Sequence, residues 1–226
     1  MILKISFFII QCVDLKGLRY VFWYTGVMKQ QVFVIHGGTA FDTYEEYFDY
    51  LKNKEVSLEK LQTKDWKTNL QENLGEEYEV YLPKMPNSQN AVYEEWCIWF
   101  EKFLPLLNDG VILVGHSLGA VFLAKYFSEN IVTKKIKATL LVAPPFGMDA
   151  GNILPQFSII TSLEKLKAQG GEVVIYHSKD DPVVNFSELK QYQDALPSLD
   201  VRVFEDRGHF NMEEFPEILE DVRKLI

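Results

Sequence analysis

The stretch VILVGHSLGAVFLAKYF, residues 111–127, decides how this chain folds. It opens with an apolar run of β character, and it closes with residues that have the spacing of an amphipathic helix. Between them lies Gly115-x-Ser117-x-Gly119, which leaves almost no room for a loop. Glycines on both sides of the serine suit a tight turn, because side chains there would collide with the neighbouring strand and helix. The stretch therefore predicts a strand that passes directly into a helix, with Ser117 at the turn.

This turn has a chemical consequence for Ser117. It lifts the hydroxyl to the carboxyl edge of the sheet, where open α/β folds bind their ligands. The helix begins at once, so its free N–H groups face the same place. The Leu118 N–H is therefore predicted to stabilise an oxyanion. A G-x-S-x-G pattern between a strand and a helix is typical of a serine nucleophile.

The rest of the chain alternates between short apolar runs and segments with helical spacing. The apolar runs are continuous, which indicates strands buried on both faces of a parallel sheet. Thr43 and Glu46 form a capping-box pattern that begins one helix. The alternation predicts an α/β fold with a mostly parallel central sheet and helices on both faces. The predicted strands are 31–35, 78–82, 111–115, 138–143, 172–178 and 201–206, and the predicted helices lie within 43–53, 91–107, 161–170, 187–197 and 212–226.

A serine hydroxyl needs a base before it can act as a nucleophile. His209 follows the last predicted strand, where the chain order nucleophile, acid, base places the base. The acid is expected after the preceding strand, where Asp180 and Asp181 lie. Pro182 holds the backbone of Asp181 extended, so Asp181 is favoured as the carboxylate that orients the imidazole. Asp180 is interpreted as a turn residue that bonds its own loop.

The other three histidines are interpreted as structural. His36 is predicted to order the glycine-rich loop after the first core strand, His116 to pack inside the turn, and His177 to cap a strand. No metal-ligand spacing relates them, so no metal site is predicted. The same glycine-rich loop is expected to supply the second oxyanion donor, which is the N–H of either Gly38 or Thr39.

Composition limits the partners that this chain can have. Of its 226 residues, 47% are hydrophobic and 24% are charged, the formal net charge is -9 and the pI is about 5.0. This balance argues against nucleic acid or an anionic membrane as the main partner, because phosphate binding needs a basic surface. Cys12 and Cys97 cannot form a disulfide framework, so a reducing, cytoplasmic setting is expected.

The first 27 residues stand apart from the alternating pattern. Their apolar run MILKISFFIIQCV is too short to span a membrane. Residues 1–27 are interpreted as an N-terminal extension, with Met28 as a possible natural start and 28–226 as a single domain. An added strand or hairpin, in which LRYVFWY pairs, and an export or anchoring segment are the alternatives.

From Gln31 onward the chain resembles the serine α/β-hydrolase superfamily. Within it, the chain is similar to the small, single-domain group of the retinoblastoma-binding-protein-9 and bacterial YdeN type. The resemblance implies an α/β-hydrolase fold, with Ser117 as nucleophile, Asp181 as acid and His209 as base. The segment around residues 52–72 departs from a minimal member and is predicted to cover one side of the site. The motifs that carry the resemblance are FVIHGG, VYLPKMPN, LVGHSLGA, SKDDPVV and RGHF.

These features predict a serine hydrolase of the carboxylesterase type. Residues 144–171 are too few for a large cap domain, so an open, partly apolar site is expected to accept a small acyl ester, or an amide or thioester. No cofactor is implied, and the sequence identifies no protein partner. The alternative is a protein-binding module that keeps the fold without turnover. The aromatic residues predicted to line the site are Phe41, Phe146, Phe157 and Phe210.

Overall fold

The computed structural model describes residues 8–15, 18–24, 28–147 and 156–226. Six parallel strands form the central sheet in the order β4-β3-β5-β6-β7-β8, and two antiparallel strands, β1 and β2, form a separate sheet. The prediction of a parallel α/β sheet is therefore confirmed. The strands are β1 (Phe8–Leu15), β2 (Leu18–Tyr24), β3 (Gln30–Ile35), β4 (Tyr78–Tyr81), β5 (Val111–His116), β6 (Ile136–Val142), β7 (Glu172–Ser178) and β8 (Asp200–Phe204).

Each predicted helical segment contains a helix, whereas two further helices, within residues 58–74, were not predicted. The Thr43 capping box is present, but the last helix begins at Pro216 rather than near 212, because proline suits the first helical turn. The predicted helix within 91–107 ends at Phe103 and continues as a 3₁₀ turn, Leu104–Leu106. The helices are α1 (Tyr44–Asn53), α2 (Leu58–Gln62), α3 (Trp66–Leu74), α4 (Tyr93–Phe103), α5 (Leu118–Glu129), α6 (Glu164–Gln169), α7 (Ser187–Ala195) and α8 (Pro216–Lys224).

Alternate residues of the central strands enter two separate hydrophobic clusters, one on each face of the sheet. Phe33 and Ile35 of β3 belong to the cluster formed with α4, α5, α6 and α7. Val32 and Val34 belong to the opposite cluster, formed with α3 and α8. This alternation is the period of two expected of a strand. Helices on both faces therefore bury the sheet and leave its carboxyl edge as the place for a site.

The N-terminal strands correspond to one of the alternatives drawn from the sequence. Strands β1 and β2 pair as a hairpin outside the main sheet. Residues 1–7, 16–17 and 25–27 lie outside the described residues, and the division into a 1–27 extension and a 28–226 domain stays a prediction. Within the described ranges, no helix has the length and apolarity needed to cross a membrane.

Candidate active site

Ser117 occupies the turn between β5 and α5 in a strained backbone conformation. Its φ is 54° and its ψ is -120°, which few residues other than glycine adopt. Its N–H donates to the Val142 carbonyl at 2.8 Å and so ties the turn to β6. A Cβ at Gly119 would lie 2.3 Å from the Ile35 carbonyl oxygen, so only glycine lets α5 begin this close to β3. The strand-to-helix turn predicted from the sequence is confirmed.

The parallel sheet gathers the predicted site residues at one edge. Strands β3, β5, β7 and β8 all end at this edge because they run in the same direction. Gly38 follows β3, Ser117 follows β5, Asp181 follows β7 and His209 follows β8. Residues that are distant in sequence therefore meet at the carboxyl edge without any one segment carrying the whole site.

Asp181 and His209 form a buried hydrogen-bonded pair. His209 Nδ1 lies 2.8 Å from Asp181 Oδ2 and 3.1 Å from Oδ1. A carboxylate only accepts hydrogen bonds, so Nδ1 carries the proton and Nε2 is left as the basic nitrogen. Asp181 Oδ1 also accepts the N–H groups of Val183 and Val184, at 2.8 and 2.9 Å. These donors fix the carboxylate, and the carboxylate in turn fixes the ring.

Asp180 holds the base loop, residues 205–213, which follows β8. Its Oδ1 accepts the Gly208 N–H at 2.8 Å and the Ser178 hydroxyl at 2.6 Å. Ser178 Oγ in turn accepts the Arg207 N–H at 3.0 Å. The Ser178 hydroxyl lowers the pKa of the Asp180 carboxyl. Asp180 therefore bonds its own turn through Ser178, as predicted, and also the main chain beside His209, while Asp181 bonds the His209 ring.

His116 connects Ser117 to the base loop. Its ring lies 5.1 Å from the His209 ring, and its Nε2 lies 2.9 Å from the His209 carbonyl oxygen. A carbonyl only accepts, so His116 Nε2 donates. The hydroxyl of Ser117 has no hydrogen-bond partner within the ranges that the structure describes. The structure thus joins acid to base and brings the base loop beside the turn, without a closed hydrogen bond from Ser117 to His209.

Lys67 completes this arrangement, and no sequence pattern singled this residue out. Its ammonium lies 3.2 Å from His116 Nδ1 and 2.6 Å from Asp65 Oδ2, and its side chain is buried. Burial is the main cause that lowers the pKa of Lys67, and the Asp65 carboxylate opposes it. Burial, followed by the Lys67 charge, holds the pKa of His116 well below its usual 6.5. His116 is therefore neutral near pH 7, with its proton on Nε2.

The glycine-rich loop after β3 presses against the turn. A Cβ at Gly38 would lie 3.1 Å from Leu118 Cδ2, and one at Gly37 would lie 3.2 Å from Ser117 Cβ, so this loop packs directly on the turn. The Thr39 N–H already donates to the Ser88 carbonyl at 2.8 Å, which favours Gly38 over Thr39. His36 Nε2 accepts the Met85 N–H at 3.0 Å, and Nδ1 donates to the Gly37 carbonyl at 2.6 Å. The prediction that His36 orders this loop is confirmed.

The four aromatic residues predicted to line the site divide into two pairs. Phe157 is fully buried and packs edge-on against Trp96. Phe210 is also fully buried, among the aromatic residues that pack against α8. Neither has surface left for a substrate, and both are core residues. Phe41 and Phe146 are partly exposed and remain candidates for substrate contact. Among the described residues, no three His, Cys, Asp or Glu side chains are grouped as a metal would require.

We expect the neutral state of His116 to make folding stability depend on pH. The unfolded chain binds a proton there below about pH 6.5, whereas the folded chain does not, so stability falls as the pH drops. Lowering the pH from about 7.5 to about 5.5 should therefore lower the unfolding free energy, because only the unfolded chain takes up the proton. His177, whose pKa burial also lowers, acts in the same direction. Lys67, His209 and His36 are the charged or titratable neighbours that oppose protonation of His116.

Urea unfolding at the two pH values tests this expectation. The substitution His116→Gln removes the titration, so the unfolding free energy of this variant should depend less on pH than that of the wild type. His177→Gln serves as the second arm and should reduce the dependence by less. Equal dependence in the wild type and His116→Gln would show that His116 is protonated in the folded chain.

This chain is similar in sequence and fold to known proteins. A family model described as "Serine hydrolase" matches residues 58–226. Rat "Serine hydrolase RBBP9" is 28% identical over 154 residues, which cover 66% of this chain and 78% of that protein. "Putative hydrolase YdeN" of Bacillus subtilis (strain 168) is 23% identical over 192 residues, covering 81% and 87%. The crystal structure of the B. subtilis ydeN gene product superposes with a TM-score of 0.62 at 18% identity, over 87% of this chain and 98% of that one.

Proposed function

The chain belongs to the serine hydrolase family, and on that premise we propose that it cleaves small acyl esters through Ser117, His209 and Asp181. The observation that carries the proposal is the buried Asp181–His209 pair, 2.8 Å apart, at the sheet edge where Ser117 is held in its strained turn. Strain of this kind is concentrated at functional sites. The pair supplies what a serine hydroxyl lacks, which is a base with a fixed tautomer.

The first half of the reaction acylates the serine. His209 Nε2 takes the Ser117 proton while Oγ attacks the acyl carbon, and the carbonyl oxygen becomes an oxyanion. The N–H groups of Leu118 and Gly38 are the donors proposed to hold that charge. The imidazolium that forms is stabilised by Asp181. Collapse of the tetrahedral intermediate breaks the bond to the leaving group, which receives its proton from His209 Nε2.

The second half returns the enzyme to its starting state. Water gives a proton to His209 Nε2 and attacks the acyl carbon on Ser117 Oγ. When this second intermediate collapses, the Ser117 oxygen recovers the proton and the carboxylic acid leaves. The partly exposed side chains of Phe41 and Phe146 are proposed to contact the acyl group, so a small apolar acyl chain suits the site.

A fluorophosphonate probe and a panel of p-nitrophenyl esters of increasing chain length test the proposal. We expect the folded protein to gain the mass of one phosphonyl group, and to hydrolyse the esters with the highest kcat/KM on short acyl chains. A folded protein that neither reacts with the probe nor releases p-nitrophenol would overturn the proposal and favour a binding module. Product analysis in the presence of added alcohols separates hydrolysis from acyl transfer.

A further inference from the structure

The first turn of α3 lies directly on the base loop. The Trp66 N–H donates to the Met212 carbonyl at 3.0 Å, and Trp66 Nε1 donates to the Phe210 carbonyl at 2.9 Å. Asn69 Nδ2 reaches the Glu213 carbonyl at 3.4 Å. These donors are separated from their acceptors by more than 140 residues of chain. The base loop therefore takes its shape from α3 as well as from β7 and β8.

The carbonyl of His209 is held by the same helix through one intermediary. Lys67 donates to His116 Nδ1, and His116 Nε2 donates to the His209 carbonyl. An ammonium has no acceptor, so Lys67 forces His116 into the tautomer that can donate to the loop. Asp65 Oδ2 pairs with Lys67 and keeps its charge in a place where burial opposes it. Each bond in this series thus fixes the next one.

The base loop needs such support because its backbone is strained. Gly208 has a φ of 50° and Phe210 a φ of 51°, so left-handed residues flank His209 on both sides. Phe210 carries a Cβ, for which this conformation is unfavourable. Strained residues persist only where the surrounding structure over-determines them. Trp66 of α3 bonds the carbonyls of residues 210 and 212, and His116, which Lys67 of α3 contacts, bonds the carbonyl of residue 209. These bonds therefore lie along the strained part of the loop.

We propose that Lys67 and His116 are positioning residues for the general base, holding the main chain of His209 so that its Nε2 faces Ser117. Asp181 holds the ring, and the Asp65–Lys67–His116 series holds the backbone behind it. Neither Lys67 nor His116 exchanges a proton with the substrate. The proposal rests on the proposed function, because it assigns these residues a role in the same reaction.

The expected effects follow from where each bond is lost. His116→Leu removes the donor to the His209 carbonyl, and a base displaced by about 1 Å lowers the rate by on the order of 10²-fold. His116→Gln restores an N–H near the Nε2 position and should recover the rate to within about tenfold of the wild type. Lys67→Met keeps the His116 ring but removes the donor that holds its proton on Nε2, so we expect kcat to fall by about tenfold. KM should change by less than about threefold throughout, because the substrate does not contact these residues.

Lys125→Met is the matched control. Among the described residues, Lys125 is the other buried lysine with an ion pair, to Glu129 at 2.5 Å, and it bonds the Ser158 carbonyl. Its loss should lower the unfolding temperature as Lys67→Met does, without lowering the rate of fluorophosphonate labelling. If Lys67 and His116 only stabilised the fold, the labelling rate would instead fall in step with the unfolding temperature in all four variants, which are His116→Leu, His116→Gln, Lys67→Met and Lys125→Met.

Hydrogen exchange of the base-loop peptide supplies a readout that does not need turnover. We expect the amides of residues 207–212 to exchange about tenfold faster in His116→Leu than in Lys125→Met, because opening the loop no longer breaks the bond to His116. Labelling of His116→Leu within threefold of the wild type, or unchanged exchange, would overturn the proposal. The wild type could fail to react with the probe while the exchange rates still follow the stated order. That result would overturn the proposed function and the catalytic role of the bond from His116 to the His209 carbonyl, but it would confirm the bond itself.

Discussion

Ser117→Ala should lower kcat for p-nitrophenyl ester hydrolysis by about 10⁴- to 10⁶-fold and abolish fluorophosphonate labelling, the largest effect expected of any single substitution in this chain. Ser117 carries the hydroxyl at the turn where α5 begins, at the same sheet edge as the Asp181–His209 pair. The loss should appear in kcat rather than in KM, because the covalent step disappears while the surfaces that contact the acyl group remain.

The same substitution should leave the fold intact. Alanine carries the same Cβ as serine, so it bears the same strain at φ 54° and keeps the N–H that bonds the Val142 carbonyl. Ser128→Ala is the matched control, since Ser128 is a buried serine at the other end of α5 whose hydroxyl bonds the Ala124 carbonyl. Intact-mass measurement after probe treatment decides the result. A phosphonyl adduct on Ser117→Ala would place the nucleophile elsewhere.

Much of the fold was predictable because its strands are buried on both faces. Continuous apolar runs, such as residues 172–178, indicate strands that are buried on both faces of a parallel sheet. Strand β7 spans those residues. The site residues follow from the same argument, since the carboxyl ends of parallel strands meet at one edge. Asp181 and His209 could therefore be paired from their order in the chain before any distance was known.

The contacts that the sequence did not predict are those that join distant segments through side chains. Lys67 lies in a polar stretch, TKDWKTNL (residues 63–70), that is typical of an exposed surface. Its burial follows from the packing of α3 on the base loop, which no local pattern encodes. Phe157 and Phe210 were predicted to line the site but are buried in the core. An apolar residue near a site has the same sequence signal whether it lines a cavity or fills the core, so the sequence could not distinguish the two.

Asp181→Asn should lower kcat by about 10⁴-fold, the second largest effect expected. The amide can present an N–H to His209 Nδ1, which would move the ring proton to Nε2 and remove the basic nitrogen that Ser117 needs. Fold stability should change far less than activity, because the amide oxygen can still accept the N–H groups of Val183 and Val184. Labelling rates and kcat across pH 6–9 measure the loss.

Asp180→Asn is the control that separates the two neighbouring carboxylates. Its amide oxygen can still accept the Gly208 N–H, now at 2.8 Å from Asp180 Oδ1, so the base loop keeps its anchor and kcat should fall by no more than about tenfold. Asp180→Asn and Asp181→Asn each remove one negative charge, at adjacent positions. A difference in kcat between the two variants therefore cannot come from the change in net charge. If Asp180→Asn proved the more damaging of the two, the carboxylate that serves the reaction would be the one holding the loop, and the 2.8 Å bond from Asp181 to the His209 ring would have to be structural.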